Sequence, residues 1–466
     1  MLRTRNVQPS LWESVLPEVC LRLPAELERV DVWLDDERFF APFVPHFSPR
    51  MGRPSIPMET YLRLMFLKHR YRLGYETLCA EVSDSISWRR FCRIDIDARL
   101  PHPTTLMKLT TRCGEPAITA LNEQLLAKAV EARLVKTGKV RADTTVVSAN
   151  VDYPTNTGLL ARAVRRMSGL VGRIKAVGAA PRTRFRDRTR AAGRRVRSIA
   201  AHLRLRGAQA REEAQATVAR ITAELADLAQ STAGQAHAVL RNARRALPQL
   251  TGQAKGQLRR AVDELAIVIR RTATVISQAR IRLAGGKPDA ATRLVSLHDP
   301  DARPIVKGRL GKPIEFGYKA QIIDNEDGIV LDHTVEEGNP ADAPQLVPAI
   351  GRITRRTGQP PKAVTADRGY GEAAVETDLH DAGVEKVAIP RKGRPGTARQ
   401  AYERQPGFRR LVKWRTGCEG RISHLKHRYD LHRTRLDGLT GARIWCGYAI
   451  LAHNLTKITT LAAANG

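Results

Sequence analysis

The chain has 466 residues, enough for about three domains of roughly 150 residues each. Lys and Arg number 78 against 47 Asp and Glu, a formal net charge of +31 that predicts a polyanionic partner such as nucleic acid. A coding bias that enriches arginine is the alternative explanation of this charge. The sequence has no apolar run long enough to span a membrane and no CxxC pair among its six cysteines, which argues against a membrane protein, a zinc site and a disulfide framework.

The first part of the chain is predicted to be helical. An amphipathic pattern predicts a helix over residues 57–71, and the sequence from Pro103 is typical of a helix start with Thr104 or Thr105 as the N-cap. Another helix is predicted over residues 121–134. Several short basic helices in succession are compatible with a helix-turn-helix-like DNA-binding module, and a generic helical domain is the alternative.

The pattern changes to that of a strand at Lys139, where apolar and polar residues alternate around Asp143. Residues 158–289 are different again, because they are rich in Ala, Arg, Gln and Leu. Apolar residues around Leu225 and Leu265 have three- and four-residue spacing, which predicts an antiparallel helical hairpin. Arginines at 182–197 would give this hairpin a basic face.

Strand patterns resume after Leu294. The predicted elements are strands at 316–323 and 329–335 joined by a tight turn, a helix at 343–357, a strand at 362–366, a helix at 371–382, a strand at 385–390, a polar loop at 393–407, and helices at 409–429 and 441–460. Without the insertion, this is the element order of an RNase H-like fold. In that fold the first and fourth strands are parallel neighbours.

We therefore predict an α/β RNase H-like catalytic domain, with a mixed five-stranded sheet and flanking helices. A helical insertion interrupts this domain, and an all-α domain precedes it. The predicted boundaries are 1–48 for an N-terminal segment, 49–135 for a helical DNA-binding domain, 136–157 together with 290–460 for the catalytic domain, and 158–289 for the insertion.

Three carboxylates could support phosphodiester chemistry, which uses hard oxygen ligands to hold divalent ions. Asp143 lies mid-strand and Asp367 ends a short apolar strand, so the two converge if these strands are neighbours. Solvated turn residues are the alternative for either aspartate alone. Arg415, Glu419 and Lys426 share one face of a late helix, where they are either a third metal ligand with two phosphate contacts or an ordinary helix salt-bridge set.

The spacing of Arg415, Glu419 and Lys426 resembles the late part of the tyrosine–arginine–glutamate–lysine signature of bacterial insertion-sequence DDE transposases, with Val412 in place of the tyrosine. Further stretches that resemble motifs of this family are 141–147, 150–155, 317–319, His333, 338–342, 366–370 and 419–426. The resemblance covers nearly the whole chain and is closest to the ISNCY-type subgroup.

The resemblance implies that Asp143, Asp367 and Glu419 are catalytic and bind two Mg²⁺ ions, for which Mn²⁺ can substitute. Side chains expected to contact DNA phosphates are Arg415, Lys426, Arg368 and Lys319. The implied function is transposition: binding to the ends of an insertion sequence, metal-dependent DNA cleavage and strand transfer. The implied partners are double-stranded DNA, as terminal inverted repeats and target, and further copies of the chain in a synaptic complex, in the bacterial cytoplasm with the nucleoid. An RNase H-like nuclease without strand transfer and an inactive DNA-binding derivative stay open as alternatives.

Overall fold

The computed structural model describes residues 1–6, 15–205, 208–306 and 314–465. The chain divides into two compact units, one formed by Met1–Asn150 with Tyr318–Gly466 and the other by Val151–Gly317. The second unit is longer than the predicted insertion at both of its ends. Among the helices of the described ranges, none combines the length and the apolar character that crossing a membrane requires.

The first unit begins with helices that are mostly short. They are α1 (Glu18–Leu21), α2 (Ala25–Leu34), α3 (Met58–Arg70), α4 (Tyr75–Asp84), α5 (Ile86–Phe91) and α6 (Pro103–Glu131), with 3₁₀ turns at Glu37–Phe39 and Ala41–His46. The helix predicted over 57–71 is confirmed as α3. The two helices predicted from Pro103 and over 121–134 form the single helix α6, which is kinked at Gly114, where φ is 62°.

The predicted threonine cap of α6 is wrong. His102 is the N-cap, and its Nδ1 accepts a hydrogen bond from the backbone N–H of Thr104 at 3.3 Å. The helix begins at Pro103, two or three residues earlier than a threonine cap implies, because Pro103 has no N–H and suits the first helical position. The long C-terminal helix α16 (Gly438–Asn465) packs against α2, α3, α6 and a sheet strand, so the N-terminal helices and the sheet share one core.

The six strands found in the described residues are β1 (Lys139–Ser148), β2 (Arg303–Val306), β3 (Ile314–Asn325), β4 (Val330–Glu337), β5 (Ala363–Ala366) and β6 (Lys386–Ala388). In the first unit β4 pairs antiparallel with β3, and β3, β1, β5 and β6 follow in that order across the sheet. β1 is parallel to β5, which confirms that the first strand and the strand before Asp367 are neighbours.

The prediction of five strands is wrong by one strand. β2 lies in the second unit and pairs antiparallel with Ile314–Gly317, the part of β3 that belongs to the same unit. Its four residues, Arg-Pro-Ile-Val, include a proline that cannot donate a backbone hydrogen bond, and they lack the alternation of apolar and polar residues that predicts a strand.

The second unit contains α7 (Asn156–Ala176), α8 (Thr189–His202), α9 (Ala208–Ala246) and α10 (Gly252–Leu283), with a 3₁₀ turn at Leu247–Gln249. The predicted hairpin corresponds to α9 and α10, but α7 packs against both of these helices. Buried residues of α7, such as Met167 and Leu170, share a core with Val239 and Leu265. The two-helix prediction is therefore incomplete, because the apolar stripe of α7 also needs a packing partner.

The late helices are α11 (Ala343–Thr357), α12 (Ala373–Asp381), α13 (Thr397–Arg404), α14 (Pro406–Arg415) and α15 (Gly417–Arg428). The predicted loop at 393–407 is wrong, since it contains α13. The predicted helix at 409–429 is two helices, divided at Thr416. Arg141 explains the division: its Nη1 donates to the carbonyl of Trp414 at 2.9 Å, and a Cβ on Gly417 would lie 2.2 Å from the same nitrogen.

Candidate active site

The register of two neighbouring parallel strands brings Asp143 and Asp367 together. The paired residues run from Lys139 opposite Ala363 to Ala142 opposite Ala366. Each aspartate is the next residue after the last pair on its strand. Since neighbouring strands lie about 4.8 Å apart and paired residues point to the same face, the two carboxylates occupy adjacent positions at one end of the strand pair.

The Asp143 carboxylate is held in place on both oxygens. Its side chain is 13% exposed, and Oδ2 accepts a hydrogen bond from Nη1 of Arg415 at 3.2 Å. Oδ1 accepts from the backbone N–H of Thr144 at 2.8 Å. On the neighbouring strand, Oδ1 of Asp367 accepts from the backbone N–H of Gly369 at 2.8 Å, in a 3₁₀ turn over Arg368–Tyr370.

Burial raises the pKa of the Asp143 carboxyl. The Thr144 N–H and the Arg415 guanidinium lower this pKa, whereas the negative charges of Asp367 and Glu419 raise it. The net direction is upward, so Arg415 and the backbone do not fully offset burial and the neighbouring carboxylates. The charges of Asp367 and Glu419 therefore act on the Asp143 carboxylate.

Glu419 lies in the first turn of α15 and is 67% exposed. Its Oε1 is 3.7 Å from Nη2 of Arg415, the same guanidinium that contacts Asp143. Arg415 thus stands between the first and third predicted catalytic carboxylates. In the ranges that the structure describes, no three His, Cys, Asp or Glu side chains are grouped so as to hold a metal ion. Asp143 and Glu419 contact the same arginine and do not form a closed cage.

A buried ion-pair cluster connects α15 to the sheet, and the sequence analysis missed it. Arg141 on β1 contacts both oxygens of Asp324 on β3, at 2.8 Å from Nε and 2.9 Å from Nη2. Arg421 on α15 adds a contact of 3.3 Å to Oδ2 of the same carboxylate, whose side chain is fully buried. Arg141 also binds the last turn of α14 through Trp414, so it fixes the helix pair that carries Arg415 and Glu419. The only signal in the sequence was the position of Arg141 two residues before Asp143.

The four predicted phosphate contacts differ in their surroundings. Arg415 is 16% exposed and contacts the carboxylates of Asp143 and Glu419. Arg368 is exposed and follows Asp367 in the chain. Lys426 is half-buried in the last turn of α15. Lys319 is 10% exposed, and its Nζ lies 2.7 Å from Oδ1 of Asp342. Their phosphate contacts stay predictions.

The donor chemistry of the site fits a divalent cation. Mg²⁺ prefers hard oxygen ligands, and the side chains of Asp143, Asp367 and Glu419 supply carboxylate oxygens. Burial and nearby negative charge raise the pKa of Asp143, and the positive charge of a bound cation would offset both effects on the carboxylate. Metal binding by these three residues stays a prediction from the sequence.

Comparisons with protein-family models give two matches. Residues 297–455 are similar to the family described as Transposase DDE domain, and this range contains Asp367 and Glu419. Residues 20–112 are similar to the family described as Transposase domain (DUF772). The two matches together cover slightly more than half of the chain. The comparison with solved structures found no match.

Proposed function

We propose that this chain, which belongs to the insertion-sequence DDE transposases, binds the ends of its insertion sequence and catalyses metal-dependent DNA cleavage and strand transfer. The observation that carries the proposal is the placement of Asp143 and Asp367 at the same end of two parallel, hydrogen-bonded strands. Assignment to the ISNCY-type subgroup remains a prediction from the sequence.

We assign the sheet to the RNase H-like class. The antiparallel hairpin of β3 and β4, followed across the sheet by β1, β5 and β6, agrees with the order expected of that class. β1, β5 and β6 are parallel to one another. Asp143 lies on β1, the central one of the five strands of the first unit. This arrangement supports the assignment without any match to a solved structure.

Asp143, Asp367 and Glu419 would hold two Mg²⁺ ions, or Mn²⁺ in their place. When bound, such ions promote attack by water or a DNA 3′-hydroxyl and stabilise the leaving oxygen. Arg415, whose two Nη nitrogens contact Asp143 and Glu419, would orient both carboxylates and would bind a phosphate beside them. No side chain needs to form a covalent bond to DNA in this scheme.

The DNA partner would be bound by three parts of the chain. The N-terminal helices in 49–135 would recognise terminal inverted repeats, and Arg368 and Lys426 would contact phosphates near the catalytic residues. In the second unit, exposed arginines between residues 182 and 197 would follow the DNA backbone. Paired ends would require further copies of the chain in a synaptic complex.

The proposal is tested by incubating full-length protein with labelled end DNA and Mg²⁺ and mapping nicks that carry a 3′-hydroxyl. Asp143→Asn, Asp367→Asn and Glu419→Gln should each abolish cleavage and preserve end binding. Because residues that act as a unit are not additive, combining the substitutions should cause no further loss. Cleavage near the wild-type rate in one variant would remove that residue from the catalytic set.

A second assay separates transposition from the alternatives. Pre-cut end DNA is offered with a supercoiled target plasmid, and joined products are counted. A transposase joins the ends to the target, whereas a nuclease cleaves end DNA without joining it. Binding without either reaction would identify an inactive DNA-binding derivative and would overturn the proposal.

A further inference from the structure

Asp342 is a fourth carboxylate beside the proposed catalytic residues, and its side chain does not do what its position in the chain suggests. It occupies the N-cap position of α11, where an aspartate commonly accepts a hydrogen bond from the helix backbone. The Asp342 side chain makes no such bond. The side chain is only 18% exposed, so its carboxylate has lost much of its contact with water without gaining the hydrogen bond of an N-cap.

The Asp342 carboxylate is directed toward Asp367. A Cβ built on Gly369 would lie 2.9 Å from Oδ1 of Asp367 and 3.0 Å from Oδ2 of Asp342. Oxygens of the two carboxylates therefore converge on the same small volume, which any side chain at Gly369 would fill. Burial raises the pKa of the neighbouring Tyr370 phenol, and the negative charges of Asp342, Asp143 and Asp367 raise it further, which places all three carboxylates near one ring.

Lys319 on β3 is the cation that accompanies Asp342. Its Nζ lies 2.7 Å from Oδ1 of Asp342 and donates a hydrogen bond to the carbonyl of Pro340, also at 2.7 Å. Among the described residues, Oδ1 of Asp342 is buried and has no aligned hydrogen-bond donor. The contact is therefore one of charge and not of hydrogen-bond geometry, which suits replacement by another cation. A lysine ammonium is a compact point charge, as a metal ion is.

We propose that Asp342 is a fourth carboxylate of the metal site and that Lys319 is its internal counter-ion, which a divalent cation displaces. The inference rests on the proposed function, because it assumes a cation beside Asp143 and Asp367. Displacement would release the Lys319 amine next to the site and make it available to a DNA phosphate. The expected phosphate contact of Lys319 and its observed ion pair would then be two states of one side chain.

The alternative is a structural ion pair that only fixes the start of α11 to β3. The two interpretations predict opposite changes in metal affinity for one substitution, Lys319→Met. If Lys319 competes with the metal, Lys319→Met removes the competitor and strengthens metal binding. If the pair is structural, losing either partner disturbs the loop in the same way. Lys319→Met and Asp342→Asn then bind metal no more tightly than the wild-type protein.

The test measures binding of Mn²⁺ alone to full-length protein without DNA, by the electron paramagnetic resonance signal of free Mn²⁺. Asp342→Asn should weaken binding about 10- to 100-fold, the range seen when partners of a metal site are removed. Lys319→Met should strengthen binding about fivefold or more, the size of a modest coupling between two sites. Asp342→Glu, which retains the charge, should recover most of the loss.

Lys128 and Asp36 provide matched controls in the N-terminal helices. Nζ of Lys128 lies 3.0 Å from Oδ2 of Asp36 and donates to the carbonyl of Trp33 at 3.0 Å, the same combination of contacts. Lys128→Met and Asp36→Asn should leave Mn²⁺ binding unchanged. Melting curves of all variants show whether they fold, and the sign of the Lys319→Met change decides the question even if Asp342→Asn does not fold.

The outcomes separate this inference from the proposed function. If wild-type protein and Asp143→Asn bind Mn²⁺ equally, the proposed function fails. If Asp143→Asn loses Mn²⁺ while Lys319→Met binds it no more tightly than wild type, the proposed function stands and the role of Lys319 as a displaced counter-ion is overturned. Unchanged binding by a folded Asp342→Asn variant would remove Asp342 from the metal site.

Discussion

Replacing Asp324 with asparagine should destabilise the first unit strongly, because two arginines would lose their shared counter-ion. Asp324 is fully buried, and the side chains of Arg141 and Arg421 are 9% and 19% exposed. Removing one partner of a buried ion pair costs about 3–5 kcal/mol, since the remaining charge stays away from water. Asparagine has nearly the same size as aspartate, so the loss would report charge and not packing.

The expected change in melting temperature follows from the size of the unit. The unit has about 300 residues, in the ranges 1–150 and 318–466. An unfolding entropy of about 2.1 cal/mol/K per residue gives roughly 0.6 kcal/mol per degree, so a loss of about 3–5 kcal/mol lowers the melting temperature by about 5–8 °C. Since Arg141 also fixes Trp414, we expect reduced cleavage at temperatures well below the transition.

Differential scanning calorimetry of the full-length chain provides the measurement. The matched control is Asp35→Asn, because Asp35 pairs with Arg5 at a site where the two side chains are 43% and 37% exposed. An exposed pair contributes about 0–1 kcal/mol, which is a shift of less than about 2 °C. If Asp324→Asn shifts the transition no more than Asp35→Asn does, the buried cluster does not hold α15 against the sheet.

Three further predictions follow from other parts of the structure. Asp143→Asn should stabilise the protein in metal-free buffer at neutral pH, by on the order of 1 kcal/mol. A carboxyl whose pKa is raised on folding contributes stability below its unfolded pKa and loses this contribution as pH rises through its folded pKa. The higher melting temperature of Asp143→Asn should therefore disappear in acid, where Asp143 is protonated in the wild-type protein as well. A higher melting temperature that does not depend on pH would refute the electrostatic cause. Gly371→Ala should destabilise the protein, since the new Cβ would lie 2.0 Å from the carbonyl oxygen of Pro390. Gly351→Ala, within α11, should stabilise it by about 0.5–1 kcal/mol, because no atom lies in the way of the new Cβ. A change in unfolding free energy of the same sign for both variants, measured by urea denaturation, would contradict this. Three exposed arginines of the second unit are Arg182, Arg184 and Arg186. Replacing all three with Gln should reduce the slope of log affinity for DNA against log salt concentration by up to about 2.7. An unchanged slope in filter binding would show that these arginines are only solvated.

Several parts of the fold could be predicted from local sequence pattern. The alternation around Asp143, the tight turn before Gly328 and the amphipathic pattern of 343–357 each predicted an element that the structure contains. Such patterns are readable because the periods of strands and helices depend on residues a few positions apart. Their order then indicated that the strands of Asp143 and Asp367 are neighbours.

Other features could not be read from local pattern. The end of α14 at Arg415 depends on Arg141, more than 270 residues earlier in the chain, because the guanidinium binds the carbonyl of Trp414. The third packed helix of the second unit, α7, required knowing which apolar faces meet. In both cases the deciding contact joins residues that are remote in sequence.

The candidate site divides in the same way. From the sequence alone, strand pattern and resemblance to transposase motifs singled out Asp143, Asp367 and Glu419 as the predicted catalytic residues. Only the tertiary structure decided that Arg415 stands between two of them and that Asp342 turns away from its helix toward Asp367 and Lys319. The physical reason is that charges interact through space, so the partner of a carboxylate is set by how β3, α11 and α14 pack and not by its neighbours along the chain.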